Sequence, residues 1–313
     1  VGRVIEYSSS MAEDGQKLST NLGTLSDLLQ EADFVAREKG MQIITKSQIN
    51  EAIKEKIERS DRIKERMYEA IQRGTILIET EGKAIGQING VAVLDLGNYS
   101  FGHPSKITAL TRLGKGGVIN IEREAKLSGP THDKGMMILS AYLASTYAKD
   151  FPLTMTATLV FEQSYGKIDG DSASCAELFT LLSSLSEVPL DQSIAVTGSV
   201  NQNGQVQAVG GINEKIEGFF DICTLTAPEK KHGIIIPTSN VKHLMLKEEV
   251  LDAVNNGLFR IYAIEYVDEG LEILTGKTSG KKDQNNKYPK DSINYLVEEK
   301  LKYLANKSKQ KKV

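Results

Sequence analysis

The stretch from Asp169 to Lys215 contains two glycine-marked turns, and each turn leads into an apolar helical pattern. The first reads Asp169-Gly170-Asp171-Ser172-Ala173-Ser174, and the second reads Gly210-Gly211-Ile212-Asn213-Glu214-Lys215. Backbone N–H groups at a helix start have no intrahelical partner and create an electropositive environment. We therefore expect Ser172 and Lys215 to lie at two helix starts and to meet in space.

Ser172 occupies a position that suits either capping or catalysis. Asp171 and Ser172 are residue types favoured at helix starts, and an apolar run from Ala173 stops near Pro189. A serine in the first turn lies among free N–H donors that can stabilise an oxyanion. The turn alone leaves both interpretations open.

Lys215 lies at the shoulder of an apolar helical stripe. That stripe contains Ile212, Ile216, Phe219, Phe220 and Cys223. Glu214, Glu217 and Asp221 are expected on the opposite face of the helix. Partial desolvation of Lys215 would lower its pKa, and only a neutral amine can take a proton from a serine hydroxyl. A lysine that extends along its stem to water is the alternative.

The order and spacing of these motifs resemble the active-site signature of Lon proteases. Asp-Gly-Asp-Ser-Ala-Ser is followed 43 positions after its first serine by the lysine of Gly-Gly-Ile-Asn-Glu-Lys. Between them, Ala195-Val196-Thr197-Gly198-Ser199 is similar to a family strand with a Thr-Gly pair. The family's turn is closer to Lys-Asp-Gly-Pro-Ser-Ala-Gly. Asp171 here replaces the proline and Ser174 the last glycine, which suggests a divergent Lon-like branch.

The resemblance implies that Ser172 is the nucleophile, Lys215 the general base, and Thr197 a residue that bonds the lysine or holds the dyad. Asp169 and Asp171 would support the turn. It further implies a cytoplasmic serine endopeptidase in protein catabolism, a homohexameric ring, and unfolded or damaged proteins threaded in as substrates. The alternative is a catalytically silent protease-like module used for ring assembly or partner binding.

Three regions are predicted along the chain. Residues 1–80 are helical, with a capping box at Thr24 and Asp27 and a long charged helix over 49–71. Their position before the protease-like region resembles the small helical subdomain of an AAA+ ATPase. Residues 81–276 form the Lon-like proteolytic domain. Residues 277–313, with eleven lysines against four acidic residues, form a partly disordered basic tail in which 293–304 could be an amphipathic docking helix.

A change to strand-like patterns after residue 74 predicts an α/β to α+β fold with a mixed sheet. The predicted strands are Thr75–Thr80, Val91–Leu96, Ile107–Arg112, Val118–Glu122, Thr154–Phe161, Ile234–Pro237 and Phe259–Ile264. Residues 113–118 are expected to be a hairpin turn. Thr154–Phe161 resembles the Lon strand that pairs with extended substrate, or it is an ordinary core strand.

No phosphate-binding loop is expected in this chain. The nearest match runs from Gly270 to Gly276-Lys277-Thr278, but five residues separate its glycines instead of four, and no strand precedes it. We therefore expect no cofactor here and assign ATP and Mg²⁺ to a missing ATPase portion. The chain begins at Val1 without a methionine, so we expect a fragment of a longer protein.

Composition excludes several other classes. A formal charge of −3 indicates neither a nucleic-acid nor a membrane partner, and no apolar run reaches the roughly 18 residues of a membrane span. Cys175 and Cys223 are expected to be buried thiols of a reducing compartment.

Other active sites are weaker alternatives. A histidine base from His103, His132, His232 or His243 remains open, because triads are defined in space. A Cys175–His pair is less favoured, since Cys175 is expected inside a helix. No metal-ligand spacing occurs.

Overall fold

The computed structural model describes residues 1–97, 99–114 and 117–310. Its N-terminal region is helical. The helices there are α1 (Gly2–Met11), α2 (Leu22–Glu38), α3 (Lys46–Glu58) and α4 (Arg62–Gln72). Leu28, Ala32, Ile49 and Ala52 form the small core between α2 and α3.

Two local predictions for this region are wrong. The side chain that caps α2 is Asn21, which accepts a hydrogen bond of 3.2 Å from the Thr24 N–H, so the helix starts earlier than expected. The long charged helix is two helices, α3 and α4, which are separated at residues 59–61. Before α3, Thr45 and Gln48 make a reciprocal capping box.

A mixed sheet dominates the rest of the chain. The strands are β1 (Lys83–Ala84), β2 (Gln87–Asp95), β3 (Ser100–Leu113), β4 (Val118–Asn120), β5 (Met155–Phe161), β6 (Leu190–Asp191), β7 (Ile194–Val196), β8 (Ser199–Val200), β9 (Val206–Gln207), β10 (His232–Pro237) and β11 (Phe259–Ile264). Seven of them pair in the order β11-β10-β7-β2-β3-β5-β4, while β1 pairs with β6 and β8 with β9. The predicted mixed sheet behind a helical N-terminal region is confirmed.

Helices cover both faces of this sheet. They are α5 (Ile121–Glu124), α6 (Pro130–Tyr147), α7 (Ser174–Ser186), α8 (Ile212–Thr226), α9 (Glu248–Asn255), α10 (Val267–Thr275) and α11 (Ile293–Gln310), with a 3₁₀ helix over Thr238–His243. Alternation along β10 separates two cores: Ile235 joins the α7 core, whereas Ile234 and Ile236 join the α8 core. The two helices that start at the glycine-marked turns therefore lie on opposite faces of one sheet.

One strand prediction and one hairpin prediction are wrong. Thr75–Thr80 is an extended linker between α4 and β1, and it joins no sheet. The predicted hairpin between Ile107–Arg112 and Val118–Glu122 does not form, because β5 lies between β3 and β4 and pairs with both. The turn itself includes residues 115 and 116, which lie outside the described residues.

Residues 293–310 are not a solvated tail. They form α11, whose Val297 and Leu301 are buried in the same core as α7. The Tyr147 hydroxyl donates a hydrogen bond of 2.6 Å to Asn294 Oδ1 and ties α11 to α6. The amphipathic-helix alternative thus describes this segment, but its apolar face packs on its own chain. Residues 311–313 of the predicted tail lie outside the described part. Among the described residues, every helix is too short or too polar to span a bilayer.

Candidate active site

Ser172 lies in a turn just before α7, not in the first turn of the helix. The Ser174 N–H donates a hydrogen bond of 3.1 Å to the Asp171 carbonyl and closes this turn. The helix begins at Ser174, after Ala173 as its N-cap. Within the part of the chain that the structure describes, the backbone N–H groups of Ser172 and Ala173 have no acceptor. Two free donors therefore lie at the serine.

The carbonyl of Ser172 is fixed by the segment that follows β7. The Gly198 N–H donates to it at 2.8 Å, and the Thr197 hydroxyl donates at 3.3 Å. Gly198 in turn accepts a bond of 3.0 Å from the Cys175 N–H. Thr197 is fully buried. Its contact is with the backbone of Ser172, and no hydrogen bond joins it to Lys215 among the described residues.

The two aspartates of the turn have different partners. Asp171 Oδ2 accepts a hydrogen bond of 2.7 Å from the Ser199 hydroxyl. Asp169 Oδ1 accepts from the Thr131 and Gly170 N–H groups at 3.1 and 2.8 Å, so it caps α6. The Gly170 N–H, more than the α6 donors, holds the pKa of Asp169 below its usual value. Asp169 thus anchors the turn, and Asp171 alone of the pair acts electrostatically on Lys215.

Lys215 is the fourth residue of α8, after Gly211 at a left-handed φ of 63°. Lys215 is 4% exposed, so the alternative of a lysine that extends along its stem to water is wrong. Burial lowers the pKa of Lys215 to about 8, and the carboxylates of Asp171 and Glu214 oppose that fall. Within the described residues, its amine has no ion-pair partner. A buried, weakly basic amine is thereby placed in the electrostatic field of the residue next to Ser172.

A close helix–strand contact sets the position of Lys215. A Cβ on Gly102 of β3 would lie 1.9 Å from the Glu214 carbonyl and 2.8 Å from the Lys215 Cα. Gly218 meets Gly102 in the same way, with a Cβ only 2.1 Å from its carbonyl oxygen. Sequence reasoning missed this contact because neither glycine carries a local signal for a neighbour so distant along the chain. It also missed Ser199, although the Thr197-Gly198-Ser199 motif contains it.

The acidic residues on the outer face of α8 are paired or buried. Glu217 pairs with Lys247 at 3.0 Å, and Asp221 pairs with Lys64 of α4 at 2.7 Å. Glu214 Oε2 is buried without a hydrogen-bond partner in the described part of the chain. Burial raises the pKa values of Glu214 and Glu217. This face of α8 is therefore covered by α4 and by the segment around Lys247.

A groove of about 380 Å³ begins beside Asp169. Its lining includes Val93 of β2 and His103 of β3. Val93 is in contact range of Gly211, and His103 follows the glycine that abuts Lys215. The groove therefore borders the neighbours of both candidate residues, although neither Ser172 nor Lys215 is part of its lining. A larger cavity of about 640 Å³ lies between α4 and α8 and includes no residue of the 169–172 turn. The strand β5 pairs with β3 and β4, which contradicts its interpretation as a strand free to pair with substrate.

The other candidate groups have structural partners. His132 Nε2 lies 2.9 Å from Glu177 Oε1, and both side chains are buried. His243 Nδ1 lies 3.3 Å from the Asn240 amide, and no histidine bonds Ser172 in the described part of the chain. Burial raises the pKa of Cys175, inside α7. No group of three or more metal-ligating side chains occurs among the described residues.

Comparison with known proteins gives two domain matches. Residues 1–59 match the model of the archaeal LonB AAA+ ATPase LID domain, and residues 159–276 match the Lon protease (S16) C-terminal proteolytic domain. A Lon protease homolog of Escherichia coli (strain K12) is 47% identical over 72% of this chain and 39% of its own length. A Lon protease homolog of Haemophilus influenzae (strain ATCC 51907 / DSM 11121 / KW20 / Rd) is 38% identical over 90% of this chain and 47% of its own length. An archaeal Lon protease of Archaeoglobus fulgidus (strain ATCC 49558 / DSM 4304 / JCM 9628 / NBRC 100126 / VC-16) is 26% identical over 87% of this chain and 41% of its own length. The chain thus spans less than half the length of these relatives.

Proposed function

Because this chain belongs to the Lon protease family, with a LID domain and a Lon-type proteolytic domain, we propose that it is a serine endopeptidase with a Ser172–Lys215 dyad. The observation that carries the proposal is the state of the Lys215 amine. The amine is buried, its pKa is about 8, and it interacts electrostatically with Asp171, the neighbour of Ser172. At pH 7 roughly one amine in ten is then neutral and able to act as a base.

The residues support the following reaction. The neutral Lys215 amine takes the hydroxyl proton of Ser172 while Oγ attacks the scissile carbonyl. The free N–H groups of Ser172 and Ala173 hold the oxyanion. As the C–N bond breaks, the Lys215 ammonium gives its proton to the leaving amine. Water then attacks the acyl-enzyme, Lys215 takes the proton of that water, and the proton returns to Ser172 Oγ when the acid leaves.

Three neighbours support the dyad in this proposal. Thr197 fixes the carbonyl of Ser172, and with it the direction of the nucleophile. Asp171 favours the ammonium form of Lys215 that follows proton transfer. Asp169 ties the turn to α6 through two backbone N–H groups. None of the three has to touch the scissile bond to act in this way.

The expected substrate is an extended segment of an unfolded or damaged protein. The groove beside Asp169 has a volume of about 380 Å³ and apolar residues such as Ile76 and Ile78 in its lining, which suits the side chains of a loose chain. A folded domain would not present an extended segment to a groove of this size. Substrate proteins are therefore expected to be unfolded before cleavage.

We further propose a homohexameric cytoplasmic ring, driven by ATP and Mg²⁺ that bind outside this chain. The described residues do not fit a phosphate loop, because Gly270 lies inside α10 and Gly276 is the left-handed C-cap of that helix. No step of the reaction above depends on ATP. Its role would be to unfold and deliver substrate.

The test is casein cleavage by the whole protein with ATP and Mg²⁺. Ser172→Ala and Lys215→Ala should each lower the rate by about 10⁴-fold. Ser239→Ala and Lys242→Ala, at exposed positions, serve as matched controls and should retain activity. His243→Ala should also stay active, and its inactivity would favour a histidine base. Equal activity of all variants would contradict the dyad, and absence of cleavage by every form would favour the silent module.

A further inference from the structure

The linker between α4 and β1, which the sequence predicted to be a strand, forms one side of the groove that reaches Asp169, three residues before Ser172. Ile76 and Ile78 line this groove, together with Met67 and Ile71 at the end of α4. Leu77, between them, points away and is 53% exposed. The alternation of lining and exposed residues shows that the linker is extended and presents one apolar face to the groove.

Gln163 holds this linker against the loop that leads to Ser172. Its Oε1 accepts a hydrogen bond of 2.7 Å from the Leu77 N–H, and its Nε2 donates one of 2.9 Å to the Thr75 carbonyl. The side-chain amide thus satisfies the linker backbone as a neighbouring strand would. Gln163 itself has a left-handed φ of 54°, a conformation unusual for a non-glycine residue. The linker and the nucleophile loop are therefore joined across one wall of the groove.

Apolar packing continues from the linker into a neighbouring cluster of the core. Ile76 and Ile78 pack with Tyr68 and Phe101 in a cluster between the helical region and the sheet. The Tyr68 hydroxyl donates a hydrogen bond of 2.7 Å to the carbonyl of Gly102, the residue that abuts Lys215. The wall is thus continuous with the support of the candidate base.

We propose that the linker, residues 75–78, is a wall of the substrate groove and selects peptides with apolar side chains. This inference rests on the proposed endopeptidase function and deepens it. The occupant is an extended segment of the substrate protein, because the groove borders Asp169 of the Ser172 turn and His103, the residue after the glycine that abuts Lys215. Ile76 and Ile78 are its specificity-determining residues, and Gln163 is the positioning residue that holds them.

Binding of a fluorescent peptide to the whole protein carrying Ser172→Ala tests this without requiring catalysis. A nonapeptide rich in leucine and phenylalanine is compared with the same peptide carrying aspartates in their place. Ile78→Lys should weaken the apolar peptide at least tenfold and strengthen the acidic peptide, whereas Leu77→Lys should change neither. A loss of structure alone would weaken both peptides, so the exchange of preference distinguishes selection from misfolding.

Gln163→Leu keeps the side-chain size but removes both hydrogen bonds. It should raise Kd for the apolar peptide several-fold, and Gln163→Glu, which retains the acceptor for the Leu77 N–H, should lose less. Equal binding by the Ile78 and Leu77 variants, or no peptide binding at all, would overturn the proposal. A change of oligomeric state in the Ile78 variant would instead identify the groove as a contact between copies. Failure of the dyad would appear separately, as casein cleavage unaffected by Ser172→Ala.

Discussion

The hydroxyl of Thr197 donates a hydrogen bond of 3.3 Å to the backbone carbonyl of Ser172, an oxygen that also accepts from the Gly198 N–H at 2.8 Å. Two donors on the segment after β7 thus orient the residue proposed as nucleophile. Because Thr197 is fully buried, its hydroxyl has little freedom to find another partner.

Thr197→Val keeps the shape of the side chain and removes one of these two bonds. A typical hydrogen bond contributes about 1 kcal/mol, so kcat should fall about five- to tenfold with little change in KM. Thr197→Ser should restore most of the rate. Steady-state kinetics on an unfolded substrate measures this, and wild-type kcat in the valine variant would show that the bond does not position Ser172.

The pH dependence of activity should follow the Lys215 amine. Burial lowers its pKa to about 8, and only the neutral form is a base, so kcat/KM should rise as pH increases through about 8. The Asp171 carboxylate raises this pKa, so Asp171→Asn should move the rise to lower pH. An unchanged midpoint in that variant would contradict electrostatic contact between the two residues.

The buried His132–Glu177 pair should make stability depend on pH. Burial lowers the pKa of His132, but Glu177, Glu122 and Asp133 raise it to a net value above its usual 6.5. The stabilisation is therefore fully present below about pH 6.5 and is lost as pH rises through the raised pKa. Relative to Glu177→Gln, the wild type should gain about 2 kcal/mol in free energy of unfolding at about pH 6, where the histidine is charged and the carboxylate is still ionised. Urea unfolding at several pH values measures it, with exposed Glu229→Gln as control. A difference independent of pH would exclude a charged pair.

Gly102→Ala should displace α8 from β3. The new methyl group would overlap the Glu214 carbonyl, and backbone atoms cannot rotate away as a flexible side chain would. We expect a loss of about 3 kcal/mol in free energy of unfolding and a lower kcat, since Lys215 moves with the helix. Gly2→Ala, which meets no atom within 4 Å, should cost nothing. Both are measured by denaturant unfolding, and equal stabilities would contradict the close contact.

Truncation of a buried residue of α11 should destabilise the whole domain. Leu301 is 1% exposed in the core shared with α7, so Leu301→Ala should cost about 2–5 kcal/mol. Tyr303→Ala, on the exposed side of the same helix at 55%, should cost less than about 0.5 kcal/mol. If the leucine variant unfolds like the wild type, α11 contributes little to the fold.

Local patterns in the sequence determined much of the chain. The apolar stripe from Ile212 to Cys223 predicted α8 with Lys215 at its edge, and the β-rich run Phe259–Ile264 predicted β11 with the observed bounds. These predictions depend only on periodicity and on turn residues near in sequence. The order of Ser172, Thr197 and Lys215 likewise indicated the family without any coordinates.

Contacts between distant segments were decided by the tertiary structure alone. Thr75–Thr80 has the composition of a strand, yet its backbone bonds the side chain of Gln163 instead of a neighbouring strand. Residues 293–310 have the charge of a solvated tail, yet their apolar stripe meets α7. The close contact of Lys215 with Gly102 is not indicated by any local sequence pattern. Such outcomes depend on which surfaces meet after folding, because burial against a distant partner outweighs the weak local preference of a short segment.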